Sequence, residues 1–216
     1  MLAVPPLLSL ADRLAEGLYT QGWAIVPDFL AAHEVAALRD EIIARDQRHE
    51  LTPAGIGQGS DHHMNRTIRR DRTHWLDNDT AAQQLFFHRM EDLRLAINRR
   101  LFLGLFEVEA HFAHYPPGAF YRRHRDAFKS NDARVVSAVC YLNASWCADD
   151  GGQLLLWPQP RSRTVAERVM PAAGTLVCFL SERIPHEVSV TQRDRYSIAA
   201  WFRRNTSIDG KVDPAG

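Results

Sequence analysis

The chain is short of cysteine, of net charge and of long apolar runs, and each shortage removes a class of protein. Its three cysteines, Cys140, Cys147 and Cys178, are odd in number and form no CxxC pair, which argues against a disulfide framework or a structural zinc site. They read as ordinary thiols in a reducing compartment, and a cytoplasmic location is expected. Lysine plus arginine and aspartate plus glutamate balance at 26 each, so no overall basic field draws the chain to phosphate backbones, and nucleic acid is disfavoured as a partner. No stretch approaches the roughly 18 apolar residues of a membrane span. The apolar start MLAVPPLLSLADRLAEG has no basic segment, is broken by prolines and runs at once into Asp12, Arg13 and Glu16. Internal repeats and low-complexity segments are also missing. What remains is a 216-residue chain whose 45% hydrophobic content suffices for a core, read as one domain over residues 1–216.

The apolar spacing changes character near residue 104. Ser9 and Asp12 resemble a capping box ahead of Leu10, Leu14 and Leu18, a short amphipathic helix stopped by Gly22. Trp23 to Val26 is a brief strand-like run, and Val35, Leu38 and Ile42 mark a second helix ending near His49. Phe86, Met90, Leu93, Ile97 and Leu101 outline a third helix, with Gly104 as its natural stop. Between the second and third, a glycine-containing stretch near 52–72 reads as a mobile loop, part of which could pair as a hairpin. From residue 105 the period becomes two, with Phe106, Val108, Ala110 and Phe112 alternating with polar residues. Further strand-like runs follow at 134–143, 153–158, 164–170, 174–180, 186–190 and 195–202. The expected fold is α+β: an antiparallel jelly-roll core over 105–204, mostly helical support over 1–104, and a polar tail at 205–216.

Within the strand-rich half, His124 and Asp126 are one residue apart, so an extended segment would project both to one face. His186 opens a later strand. Two imidazoles and a carboxylate are a ligand set suited to Fe(II) with positions left open, although an HxD by itself is common and a lone histidine is more often packed or exposed than metal-bound. Arg195 begins the last strand, where alternation puts Arg195, Ser197, Ala199 and Trp201 on one face. If that face points inward, the guanidinium calls for an incoming carboxylate; otherwise it is a surface arginine paired with Asp194 or another acid.

The words AHYPPGAFYRRHRDAF, VCYLNASW, DDGGQLLLWP, GTLVCFLSERIPHEV and RYSIAAWF, in this order, resemble the Fe(II)- and 2-oxoglutarate-dependent dioxygenases of the prolyl 4-hydroxylase superfamily, and among them the hypoxia-inducible-factor prolyl hydroxylases and their bacterial relatives. The resemblance covers roughly 105–204 well and the helices more loosely. It implies a double-stranded β-helix and a catalytic domain in which His124, Asp126 and His186 bind iron. Arg195 would pair with the distal carboxylate of 2-oxoglutarate, and Tyr141 would join it there. Tyr115 would lie close to the cosubstrate, with Tyr121 and Trp201 lining the pocket. Dioxygen is the second cosubstrate and ascorbate an expected reductant. One departure is Ala199, where the hypoxia-factor enzymes carry a threonine.

The resemblance implies hydroxylation of a prolyl residue in a protein or peptide, with release of succinate and carbon dioxide. A free amino acid or other small molecule is the alternative. A nucleic-acid demethylase is less favoured, because such relatives carry a second arginine where this chain has Trp201, and a non-catalytic jelly-roll module has no reason to keep a polar interior. The stretch 52–72, with Arg66, Arg69, Arg70 and Arg72, is the expected lid; His62 and His63 within it read as exposed polar residues. Neither monomer nor homodimer is singled out.

Overall fold

A computed structural model describes residues 9–55, 65–127 and 133–205. Three helices, α1 (Leu10–Thr20), α2 (Ala32–Gln47) and α3 (Ala81–Leu101), accompany eleven strands. These are β1 (Trp23–Val26), β2 (Thr52–Pro53), β3 (Arg72–Trp75), β4 (Leu105–Tyr115), β5 (Tyr121–His124), β6 (Arg134–Tyr141), β7 (Leu154–Leu156), β8 (Glu167–Val169), β9 (Leu176–Leu180), β10 (His186–Val188) and β11 (Arg195–Arg204). They form two antiparallel sheets, a seven-stranded one ordered β1-β9-β6-β11-β4-β3-β2 and a four-stranded one ordered β5-β10-β7-β8. The α+β jelly roll expected from the sequence is the fold observed.

The helices begin where their caps say they should. Ser9 and Asp12 cap α1 reciprocally, the Asp12 amide donating to Ser9 Oγ and the Ser9 amide to Asp12 Oδ2, both at 3.2 Å. Thr80 Oγ1 caps α3 by accepting from the Gln83 amide. Leu14, Leu18, Leu38, Ile42, Phe86, Met90 and Ile97 then bury one face of the three helices on the outer face of the large sheet, against Phe112, Val136, Ile198 and Phe202. Each such side chain contributes roughly 1.5–3 kcal/mol. Alternation along β11 decides the rest: Tyr196, Ile198, Ala200 and Phe202 belong to this helical core, while Arg195, Ser197 and Trp201 are buried on the other face, between the sheets. Tyr115, Tyr141, Leu154, Leu156, Val177, Phe179 and Val188 form a second core there.

The structure departs from the sequence reading in several places. Helix α3 ends before Gly104: its cap is Phe102, in the left-handed region at φ 53° and exposed. Phe106, assigned to the apolar side of β4, is also exposed. The expected strand at Trp23–Val26 is present, and β1, β2 and β3 all join the large sheet. Thr52 and Pro53 pair antiparallel with Thr73 and Arg72, the hairpin pairing that the sequence allowed for part of the 52–72 stretch. Residues 56–64, with His62 and His63 and the heart of the expected lid, lie outside the described residues, as does most of the polar tail.

Candidate metal centre and cosubstrate clamp

Strand pairing brings the metal candidates together. His186 opens β10 and pairs directly with His124, the last residue of β5. Asp126 is not on that strand, as the HxD spacing suggests; it lies just beyond it, and the chain turns its carboxylate back toward both rings. One ligand atom from each of His124, Asp126 and His186 lies within 4.8 Å of the others, and they are the only such group among the described residues.

Hydrogen bonds set each ligand's orientation. His124 Nδ1 donates to the Arg122 carbonyl at 2.7 Å and His186 Nδ1 to the Ile184 carbonyl at 3.2 Å. A carbonyl only accepts, so in the neutral rings Nε2 carries the lone pair. Both Nε2 atoms face Asp126 Oδ1, at 3.4 and 3.5 Å. Burial, reinforced by the charge of His186, pushes the His124 imidazole down to about 4. Burial by itself would raise Asp126, but the neighbouring His186 and His124 outweigh it and hold the carboxyl well below its ordinary range. Near neutral pH His124 therefore presents a lone pair, and Asp126 a carboxylate, to a cation.

The second carboxylate oxygen is held by protein. Ser137 Oγ donates to Asp126 Oδ2 at 2.6 Å, and the Trp201 indole N–H donates to the same atom at 2.9 Å. Ser137 has spent its one proton on the carboxylate, so Ser181 is the donor in the 2.9 Å contact between the two hydroxyls. Behind Trp201 stands Arg134, 3.8 Å from the ring centroid and bonded to Glu109 at 2.6 Å. The sequence marks Trp201 only as a pocket-lining aromatic; its bond to Asp126, and the parts played by Ser137 and Arg134, follow from β6 and β11 lying side by side.

The clamp candidate lies in the same interior. Arg195 is 1% exposed. It does not pair with Asp194, whose carboxylate accepts instead from His114 Nε2 at 2.8 Å. Arg195 Nε donates to the Gly152 carbonyl at 2.8 Å and Nη1 to Ser197 Oγ at 3.2 Å, while Nη2 is buried without a partner. The Tyr141 hydroxyl is likewise buried and unpartnered. The guanidinium carbon sits 4.9 Å from the Tyr115 ring centroid and 5.1 Å from that of Tyr141. Burial raises both phenols above their usual range, so each stays a neutral donor. Unpaired buried donors on a cation are costly, and a carboxylate would satisfy them together. Gly152 makes room: at φ +63°, any Cβ there would meet Arg195 Cδ at 3.0 Å. Tyr121 lies by the metal candidates, stacked 3.5 Å from the His124 ring and covered by Arg69 at 4.2 Å, with burial pushing its phenol up to about 12.

No described helix is long and apolar enough to cross a membrane. Comparison with known proteins gives a consistent assignment. The family model of the 2OG-Fe(II) oxygenase superfamily matches residues 110–203. A crystal structure of a Pseudomonas putida prolyl-4-hydroxylase is 44% identical, with a TM-score of 0.80 over 90% of this chain and 99% of that one. A Trichoplax adhaerens prolyl hydroxylase, solved with a hypoxia-inducible factor peptide fragment, is 28% identical with a TM-score of 0.80 over 90% of this chain and 89% of that one. The hypoxia-inducible factor prolyl hydroxylase of Caenorhabditis elegans is 28% identical over 93% of this chain, which spans only 29% of that longer protein. With two thirds or more of a 44% identical relative covered, and with the matched residues containing His124, Asp126, His186 and Arg195, the chain belongs to the 2OG-Fe(II) oxygenase superfamily.

Proposed function

We propose that this chain is a single catalytic domain that hydroxylates a prolyl residue of a protein or peptide in an Fe(II)- and 2-oxoglutarate-dependent reaction, in the cytoplasm. The observation that carries the proposal is the pair of unpartnered buried donors, Arg195 Nη2 and Tyr141 OH, in the barrel interior that also holds His124, Asp126 and His186. When bound, iron and 2-oxoglutarate supply the oxidation that puts one oxygen atom of dioxygen into a C–H bond and leaves succinate and carbon dioxide, with ascorbate as the expected reductant of wasted metal. The chain's own residues do the positioning. His124 and His186 offer Nε2 and Asp126 offers Oδ1, a set that leaves positions open for cosubstrate and dioxygen. Arg195 and Tyr141 take the distal carboxylate of 2-oxoglutarate, with the Tyr115 ring packed beside them. The surrounding apolar side chains, among them Leu154, Val177 and Val188, keep water out.

The prolyl target rests on the relatives, which are prolyl hydroxylases. Trp201 supports it over nucleic-acid demethylation, since it stands six residues beyond Arg195 where such relatives carry a second arginine. Incubation of the chain with Fe(II), 2-oxoglutarate, air and a cell lysate should produce a one-oxygen mass shift on prolyl residues that is missing with His124→Ala. A shift confined to free amino acids or small molecules would retire the protein-substrate reading, and undiminished 2-oxoglutarate turnover by His124→Ala would retire the ligand set.

A further inference from the structure

Although the chain has no net charge, its arginines are unevenly matched. Several away from the metal candidates are tied to carboxylates: Arg45 to Glu41, Glu50 and Asp79, Arg89 to Glu34, Arg100 to Asp12 and Arg203 to Glu107. Around β5, where Arg69 is paired with Asp71, a cluster of other arginines is not. Arg66, Arg70, Arg122, Arg125, Arg161 and Arg163 are all exposed, and none makes an ion pair with a carboxylate among the described residues. They come from three separate segments that the fold stitches together. The Arg70 amide donates to the Phe120 carbonyl at 3.0 Å and the Arg122 amide to the Ile68 carbonyl at 2.8 Å. The Arg123 guanidinium donates to the carbonyls of Ser162, Gln159 and Pro160 at 2.8, 3.2 and 3.0 Å, which fastens the loop carrying Arg161 and Arg163 to the same strand. That strand ends at His124, with Arg122 two residues before it and Arg125 one after. Several guanidiniums are also fixed in place: Arg70 and Arg122 flank the Phe120 ring at 4.9 and 4.6 Å, and Arg125 Nη1 donates to the Glu182 carbonyl at 2.9 Å.

Six unmatched arginines gathered here raise a local positive potential that the overall charge balance conceals. We infer that this arginine collar is a docking surface for an acidic stretch of polypeptide next to the prolyl residue that enters the site. The inference rests on the prolyl reading above and adds the chemistry of the flanks. A carboxylate side chain meets a guanidinium in two-point geometry, and complementary rim charges set encounter rate and partner choice. A polynucleotide fits less well, because single-stranded nucleic acid needs open aromatic faces for its bases. The aromatics inside the collar are covered instead, Phe120 by Arg70 and Arg122, and Trp157 by Arg123 at 4.2 Å.

The test is fluorescence anisotropy of the intact chain, held anaerobically with Fe(II) and 2-oxoglutarate, against three labelled prolyl peptides that differ only in glutamate, serine or lysine flanks, and against a labelled single-stranded oligonucleotide. At low salt the glutamate peptide should bind about tenfold tighter than the serine peptide, with the gap closing at high salt. The double variant Arg161→Ser/Arg163→Ser should weaken the glutamate peptide several-fold, leaving the serine peptide and peptide-independent 2-oxoglutarate turnover unchanged; Arg66→Ser/Arg70→Ser should do the same from the opposite rim. Equal affinity for the three peptides, an oligonucleotide that binds tighter than the glutamate peptide, or indifference of both double variants would overturn the inference. The two readings separate cleanly in air. Tight binding of the glutamate peptide with no prolyl hydroxylation would retire the prolyl reading and leave the collar, whereas equal binding and hydroxylation of all three peptides would retire the collar alone.

Discussion

The two polar ends of the barrel interior are finished to different degrees. At the metal end, the protein has committed the spare atoms: both Nδ1 groups donate to carbonyls, and Asp126 Oδ2 accepts from Ser137 and Trp201. At the clamp end, Arg195 Nη2 and Tyr141 OH have no protein partner. On the proposed reading, the difference is that between the handling of a resident ion and of a consumed cosubstrate. Metal ligands must hold their orientation through repeated cycles, so their outer atoms are tied down. The cosubstrate must arrive and leave as something else, so the groups that bind it are left for it to complete.

The strongest way to break this comparison is at the clamp. Arg195→Ala should weaken 2-oxoglutarate about a thousandfold by calorimetric titration of the Mn(II)-loaded chain, the range for truncating one partner of a buried charge pair. Little change would mean that the open donors do not bind the cosubstrate. Acid should loosen the metal end first. Burial pushes His111, whose ring stands 5.2 Å from that of Trp201, down to about 4, as it does His124. An imidazole held below its ordinary 6.5 takes up a proton more readily when unfolded, so its stabilisation is complete above that value and is lost as pH falls toward 4. The contribution of Asp126 is intact above its ordinary 3.8 and is lost only below it, and that of the raised phenols of Tyr115 and Tyr141 changes only above 10, so neither adds another change in that window. Denaturant titrations of the metal-free chain should therefore lose about 2 kcal/mol per such histidine between about pH 7 and pH 5, and His111→Phe should lose correspondingly less. The smallest effect sharpens the comparison from within the metal end. Trp201→Phe keeps the ring but frees Asp126 Oδ2, and should weaken Co(II) or Fe(II) binding about tenfold with 2-oxoglutarate affinity nearly unchanged. Equal losses of metal and cosubstrate would show that Trp201 merely supports the pocket.

Much of this was legible along the chain. Period-two alternation in RYSIAAWF correctly divides β11 into a helix-facing and an inward face, because side-chain direction in a strand is a local property. The caps of α1 and the apolar stripe of α3 are equally local. The HxD spacing misleads for the complementary reason: extended backbone would send His124 and Asp126 the same way, but the strand stops at His124, and the carboxylate is placed by bonds to Ser137, 11 residues on, and Trp201, 75 residues on. Gly104 misleads similarly, since Phe102 accepts the left-handed cap at an exposed position where its side chain meets no obstruction that the sequence could announce.

The sequence by itself determined the class of fold, the faces of its strands and, through its family words, which residues are proposed to meet at iron and cosubstrate. Only the tertiary structure decided which partners those residues keep. Whether Arg195 pairs with Asp194 or waits for a ligand, and whether a balanced set of charges is evenly spread or gathered as unmatched arginines around β5, depends on contacts between segments far apart in the chain. Composition counts charges and alternation assigns faces, but a hydrogen bond or an ion pair exists only when the fold brings both of its partners within reach.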